Sequence, residues 1–174
     1  MGRVWLAVAA VGAFVLVAGS SSVAKAPSRR KPNVDNDLGR LAPSFRRKVE
    51  RLLELMRNDG WHPLVWETYR TPERAADLAT DKLKGASMHS LGLAVDIVDE
   101  QLLWGASEEF KQALGRHAKA LGLYWGGDFL NNDGSKGRDQ WHVQAIPIGQ
   151  QNRYRALTTL AARESLLQRR WGIA

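Results

Sequence analysis

The chain has 174 residues, a length that suits one domain of the usual size, roughly 100–200 residues. With 44% apolar and 25% charged residues, its composition excludes wholesale disorder. It contains no cysteine, which excludes disulfides, thiolate metal ligands, a cysteine nucleophile and a lipid-modified cysteine. Any metal must therefore be held by His, Asp or Glu.

The net charge of +7 is concentrated at the two ends of the chain. Residues 1–32 have a charge of +5 and residues 153–174 a charge of +4, which leaves −2 for residues 33–152. A nucleic-acid-binding domain has its basic patch on the folded body, so we expect no nucleic-acid partner. The first interpretation of these basic ends is that they are simply solvated. The second is that they are attracted to an acidic wall or membrane surface.

The amino terminus has the pattern of an export signal. Residues 4–19 are all apolar or small, follow Arg3 and precede a polar stretch. As a helix this run spans about 24 Å, less than the hydrocarbon core of about 30 Å. Positive charges are more numerous after the run than before it, which opposes the orientation that an export signal usually adopts in the membrane. Cleavage and retention as a membrane anchor therefore both stay open.

We predict three regions: a signal or membrane-anchor segment over residues 1–26, a basic linker over 27–37 and a folded domain over 38–174. The domain is expected to be exported to the periplasm or cell envelope as a monomer, with any membrane contact made through residues 4–19.

Hydrophobic periodicity predicts a mixture of helices and strands in the body. Helices are expected over 43–59, 71–80, 107–122 and 150–170. Strands are expected over 62–69, 92–98 and 141–146, and a further short strand begins at 124. The last helix is expected to bury Tyr154, Leu157, Leu160, Ala161 and Leu167. Because helices and strands do not alternate regularly, we expect an α+β fold with a small, mainly antiparallel sheet flanked by helices.

Residues 87–96 (SMHSLGLAVD) contain the first group of candidate functional residues. Strand alternation places Gly92 and Ala94 on the same face as Asp96, which leaves space beside the carboxylate for a metal or substrate. His89 precedes Asp96 by seven positions, about 23 Å along a straight strand. The two can share a metal only if the chain folds back, which Gly92 permits.

Residues 139–143 (DQWHV) contain the second group. His142 shares a strand face with Gln144, while Asp139 lies in the preceding loop. Two histidines and Asp96 would make a three-ligand set, which leaves the fourth position of tetrahedral zinc open, as in catalytic sites. A free carboxylate nearby, such as Asp139, would then be the general base.

Other candidates allow two interpretations. Arg70 could hold a substrate carboxylate or stabilise an oxyanion, or it could form a surface salt bridge. His62 and His117 are expected to be ordinary surface histidines. Most of the seven tryptophans are expected in the core, but Trp125 and Trp141 flank the candidate site and could line it.

Together these segments resemble one peptidase family. The string S-x-H-x-x-G-x-A-x-D at 87–96, followed by D-x-x-H at 139–142, is similar to the zinc D-alanyl-D-alanine carboxypeptidase and L-alanyl-D-glutamate peptidase family, which includes vancomycin-resistance D,D-peptidases and phage endolysins. Tyr69-Arg70-Thr71 resembles its Tyr-Arg-Ser/Thr segment. Residues 123–129 (LYWGGDF) resemble the G-x-x-W-G-G-D-W segment of the L-alanyl-D-glutamate branch. The resemblance covers about residues 40–148. Tyr124 and the neighbours of His142 depart from the family pattern. These departures concern the pocket wall, and therefore substrate choice, more than the metal.

The resemblance implies a D,D-peptidase/hedgehog-like fold and a role for each candidate residue. Zinc would be bound by His89, Asp96 and His142. Asp139 would be the base, and Arg70 would stabilise the oxyanion. The substrate would contact Ser87, Trp125 and Trp141.

The implied function is hydrolysis of peptidoglycan stem peptides. We expect an L-alanyl-D-glutamate endopeptidase because of the Trp-Gly-Gly-Asp segment, with a D-alanyl-D-alanine carboxypeptidase as the alternative. A wall-binding module without turnover is the alternative of another class. A further alternative is a phage lysis enzyme that uses residues 4–19 as a signal anchor. Its reaction would be the same, and only its biological origin would differ.

Overall fold

Four short strands form a single antiparallel sheet in the computed structural model, which describes residues 34–71, 73–75, 87–131 and 133–172. The strands are β1 (Pro63–Glu67), β2 (Ala94–Asp99), β3 (Tyr124–Trp125) and β4 (His142–Gln144), in the order β1-β2-β4-β3. The predicted α+β class with an antiparallel sheet is confirmed. The predicted signal or anchor segment and most of the predicted helix 71–80 lie outside the described residues.

Two long helices cover one face of the sheet. Helix α1 (Pro43–Asn58) begins with proline, which suits the first helical position, and buries Phe45, Val49, Leu52, Leu53 and Met56 as predicted. Helix α2 (Glu108–Ala120) is capped by Ser107, whose Oγ accepts a hydrogen bond from the Phe110 amide at 3.3 Å. Val95, Ile97 and Val143 face these helices and complete the core.

The strands are shorter than predicted because local features interrupt the ladders. The pairing of β1 with β2 shifts register between Val65 and Glu67, resumes where Glu67 pairs with Asp96, and ends there. Gly92, expected at the start of β2, instead adopts a left-handed conformation with φ of 67°. The predicted strand 141–146 pairs only over β4, and its last residues form a bend.

The predicted helix 150–170 is wrong: it is two helices, α3 (Gln151–Arg155) and α4 (Leu160–Trp171). Thr159 caps α4, since its Oγ1 accepts from the Ala162 amide at 3.2 Å. Because α4 starts independently of α3, its residues face directions that differ from those expected for one continuous helix. Tyr154 and Leu167 are buried as predicted, but Leu160 is 38% exposed and Ala161 is also exposed.

Glu164 of α4 joins that helix to the beginning of α1. Its buried carboxylate accepts from the Ser44 amide at 3.0 and 3.1 Å and from the Ser44 hydroxyl. The first-turn amides of a helix have no partner within the helix, and a negative charge there is favourable. Glu164 therefore acts as a cap for α1 supplied by a distant part of the chain.

No helix within the described ranges is long and apolar enough to cross a bilayer.

Gly92 is predicted to be intolerant of a side chain. An added Cβ would lie 2.6 Å from the Arg40 carbonyl oxygen, in a backbone conformation that disfavours L residues. We expect Gly92→Ala to lower the free energy of unfolding by about 3 kcal/mol, measured by urea denaturation. Gly60→Ala is the matched control, because Gly60 also has positive φ, 86°, but open space around it, so about 1 kcal/mol is expected. Equal losses in the two variants would contradict the importance of the close approach.

Candidate active site

The three predicted metal ligands converge on one side of the sheet. Asp96 on β2 lies directly opposite His142 on β4, so their side chains share a face. His89 reaches the same point because residues 89–91 form a short 3-10 helix that ends at left-handed Gly92. The fold-back that the sequence required is therefore made by a glycine turn.

Their ligand atoms form a tight triangle. Asp96 Oδ1 lies 3.0 Å from His142 Nδ1 and 3.2 Å from His89 Nε2, and the two nitrogens are 3.2 Å apart. Zinc–ligand bonds of about 2.0–2.1 Å at tetrahedral angles place ligand atoms about 3.3 Å apart. The two imidazoles and the carboxylate therefore fit one face of a zinc tetrahedron and leave a fourth position for chemistry.

The carboxylate of the buried triangle is stabilised in its charged form by the two histidines. Burial raises the pKa of Asp96, but the two histidines outweigh it and lower the net pKa below its usual range. Burial lowers the pKa of His142, but Asp96 outweighs it and raises the net pKa. Asp96 is therefore ionised at neutral pH, as a cation ligand must be.

Asp139 lies at the rim of this triangle, in the turn before β4. Its amide donates to the Gly126 carbonyl at 3.2 Å, and its own carbonyl accepts from the His142 amide at 3.2 Å. Burial of the carboxylate raises the pKa of Asp139, and the Asp96 charge adds to this effect, while His142, His89 and Arg70 oppose it. The residue keeps solvent exposure, so water can reach this carboxylate.

Arg70 lies beside the triangle and is fixed by a buried partner. Its Nε donates to Glu67 Oε2 at 3.2 Å, and its Nη2 lies 3.8 Å from Asp96 Oδ2. Its Nη1 is 3.4 Å from the hydroxyl of Ser87, so this predicted substrate contact also lies at the site. The salt bridge considered for Arg70 is thus present, but it is partly buried and adjacent to the proposed metal ligands rather than on the open surface.

Glu67, Thr68 and Gln144 were not predicted as site residues. Glu67 binds both Arg70 and Arg74, while the Thr68 carbonyl and the Gln144 side chain each contact one histidine. The available signals were the acid three residues before Arg70 and the shared strand face of His142 and Gln144. The Thr68 contact uses a main-chain oxygen and has no sequence signal.

The two candidate tryptophans pack mainly into the core. Trp125 is 4% exposed, and a Cβ on Gly115 or Gly127 would lie 2.5 or 2.3 Å from its ring. Its Nε1 donates to the Gln140 carbonyl at 2.8 Å. Trp141 packs edge-on against Trp104, 5.7 Å between centroids. Their roles in substrate binding stay predictions.

His62 and His117 take no part in the triangle. His117 pairs with Asp59 at 2.7 Å near the end of α1, and His62 is exposed.

A cleft of about 470 Å³ lies beside edge strand β3 and adjoins the site. Its wall includes Phe129, whose ring centroid is 6.0 Å from that of His142. The other lining residues are Lys119, Gly122, Leu123, Tyr124, Trp125, Asp128 and Ile148. The Phe129 ring therefore connects this cleft to the ligand triangle.

Comparison with known proteins identifies the family. Residues 80–145, which contain the three converging side chains and Asp139, match a family described as D-alanyl-D-alanine carboxypeptidase. This part of the chain is similar to that peptidase family. The family prediction made from the motifs is confirmed, and with it the enzyme class, a zinc-dependent peptidase that acts on peptidoglycan.

Two solved structures of VanY from the VanB-type resistance cassette show the same fold. A mutant of the vancomycin resistance D,D-pentapeptidase VanY, in complex with Zn(II), is 21% identical over 71% of this chain and 83% of that one, with a TM-score of 0.50. VanYB in complex with D-alanine-D-alanine is 20% identical over 79% of this chain and 91% of that one, also with a TM-score of 0.50. No curated protein matches the chain.

Proposed function

We propose that this peptidase is an endopeptidase that cleaves the bond between L-alanine and D-glutamate in peptidoglycan stem peptides. The observation that carries the hydrolytic part is the convergence of His89, Asp96 and His142 with Asp139 at the rim. Zinc held by the three ligands would polarise the scissile carbonyl and lower the pKa of water.

The residues of the chain account for the proton transfers. Asp139 takes a proton from the attacking water as the new C–O bond forms at the scissile carbon. When the C–N bond breaks, Asp139 returns that proton to the leaving amine. The raised pKa of Asp139 suits this double role, because a carboxylate with a raised pKa accepts a proton from water more readily and can later donate it.

Arg70 stabilises the charge that develops on the former carbonyl oxygen. Its guanidinium is held by buried Glu67 and therefore needs little reorganisation when the charge appears. Its third contact, Ser87, can help to orient the substrate.

The Trp-Gly-Gly-Asp segment supports the endopeptidase assignment. Gly126 within it contacts the loop of the proposed base: a Cβ there would lie 2.1 Å from the Asp139 carbonyl oxygen. The segment that resembles the L-alanyl-D-glutamate branch therefore shapes the catalytic loop, and it also lines the adjoining cleft.

Removal of a terminal D-alanine is the second candidate. It is favoured by the description of the family that matches residues 80–145, and by the D-alanine-D-alanine bound to VanYB, which has the same fold. A wall-binding module without turnover is disfavoured by the presence of Asp139 beside the ligand triangle.

We also propose that the domain acts outside the cytoplasmic membrane. Residues 4–19 have the pattern of an export signal, and peptidoglycan lies outside that membrane. Protein fractionation of cells that express the full chain tests this: recovery only in the cytoplasm would contradict it.

Defined stem peptides separate the candidate activities. The purified protein is incubated with a stem peptide that contains the L-alanyl-D-glutamate bond and ends in D-alanyl-D-alanine, with and without a chelator. Product masses showing release of L-alanine at the first bond support the endopeptidase, and loss of one D-alanine supports the carboxypeptidase. Binding without any product would support the wall-binding module.

A further inference from the structure

The amide of Gln144 is oriented by contacts on both sides. Gln144 is the last residue of β4 and is 1% exposed. Its Nε2 donates to the Ile146 carbonyl oxygen, which can only accept a hydrogen bond. This contact fixes the NH2 end of the side chain, so Oε1 is the end that lies 3.1 Å from His142 Nε2.

This orientation determines which nitrogen of His142 carries hydrogen. An amide oxygen cannot donate, so His142 Nε2 must donate to it and carry the hydrogen. When a metal replaces the proton that Nδ1 otherwise shares with Asp96, the neutral ring offers its lone pair from Nδ1. That atom lies 3.0 Å from Asp96 Oδ1 and 3.2 Å from His89 Nε2, at the centre of the ligand triangle.

His89 is set in the opposite tautomer. Its Nδ1 lies 3.2 Å from the Thr68 carbonyl oxygen, another obligatory acceptor, which leaves the lone pair on Nε2. Both lone pairs therefore point inward, although different ring nitrogens are used. A main-chain oxygen orients His89, whereas a side chain orients His142.

We propose that Gln144 is a positioning residue that holds His142 in the tautomer and ring orientation that present Nδ1 to zinc. This inference rests on the proposed ligand role of His142. Partners of the second ring nitrogen typically affect metal affinity by about 10–100-fold. Gln151 on α3 donates to the same Oε1 at 3.3 Å, but it does not contact the histidine.

Zinc affinity, measured by competition with a chromophoric chelator, tests the proposal without reference to turnover. Gln144→Met has a similar shape but offers only a weak thioether acceptor, and we expect its zinc affinity to fall by about 10-fold or more. Gln144→Glu keeps an acceptor and should stay within about threefold of the parent protein. Gln151→Met is the matched control and should also stay within about threefold. Equal affinity of Gln144→Met and the parent would overturn the proposal.

The ligating atoms can be read directly in the zinc-loaded parent protein. Two-bond proton–nitrogen correlations of the imidazoles should show zinc on Nδ1 of His142 and on Nε2 of His89. Zinc on Nε2 of His142 would overturn the proposal, and this measurement decides the matter even if Gln144→Met does not fold. Zinc bound in this way without peptide cleavage would contradict the proposed function but support the role of Gln144.

Discussion

Replacing Asp139 with asparagine is expected to reduce kcat/KM by at least about 100-fold on the preferred stem peptide. Asparagine has nearly the same shape but cannot take a proton from water. The backbone contacts of this residue with Gly126 and His142 do not involve the side chain, so the loop should stay in place. Zinc affinity should stay near that of the parent protein, because Asp139 is not one of the three converging ligands.

The measurements are peptide turnover by mass spectrometry and zinc content by atomic spectroscopy. Asp59→Asn is a matched control, since Asp59 is an exposed aspartate that pairs with His117 away from the ligand triangle. It should retain activity within about twofold, because exposed ion pairs contribute little. If Asp139→Asn cleaves the peptide at the parental rate, another group is the base.

Replacing Glu67 with glutamine is expected to lower the free energy of unfolding by about 3 kcal/mol at neutral pH. Glu67 is 2% exposed and accepts hydrogen bonds from two guanidinium groups, those of Arg70 and Arg74. Losing the carboxylate charge leaves both cations in a partly buried position without their partner. Denaturant unfolding of the metal-free protein measures the change.

The pH dependence gives this prediction a definite sign. Burial raises the pKa of Glu67, but the hydrogen bonds from Arg70 and Arg74 outweigh it, so the net pKa lies below the ordinary value of 4.5 for a glutamate. The carboxylate therefore stabilises the fold above that value, and its contribution is lost as the pH falls through the lower folded pKa. The difference between the parent and Glu67→Gln should shrink below about pH 4.

Glu54→Gln is the control, since Glu54 pairs with Arg51 on the exposed surface of α1, and it should cost less than about 0.5 kcal/mol. A Glu67→Gln effect of the same size at about pH 3 and pH 7 would indicate lost packing rather than lost charge. The variant should also lower kcat, because Arg70 would no longer be held beside Asp96.

Much of the fold could be predicted because its determinants are local. The apolar spacing of α1, the Ser107 cap of α2 and the strand around Asp96 each lie within a few consecutive residues. The turn between His89 and Asp96 could also be predicted locally, because it required a glycine at position 92. Gly92 makes that turn with a left-handed φ. The convergence of His89 with His142 is long-range, and the family resemblance rather than their spacing made it predictable.

The features that were missed depend on contacts between distant segments or on the main chain. The break between α3 and α4 arises because Thr159 caps the start of a new helix. The apolar periodicity of the sequence did not indicate this second start. The Thr68 carbonyl contacts His89 through an atom that every residue type has. Glu67 resembles any strand acid in the sequence, and only its burial between Arg70 and Arg74 shows its role.

The contact of Glu164 with Ser44 has a consequence for biosynthesis. The carboxylate that completes the first turn of α1 comes from a position 120 residues further along the chain. While the polypeptide emerges from the ribosome, the first-turn amides of α1 are therefore hydrated by water until α4 arrives. Closing so long a loop is slow compared with forming a helix, so the docking of α4 is expected to be a late step of maturation.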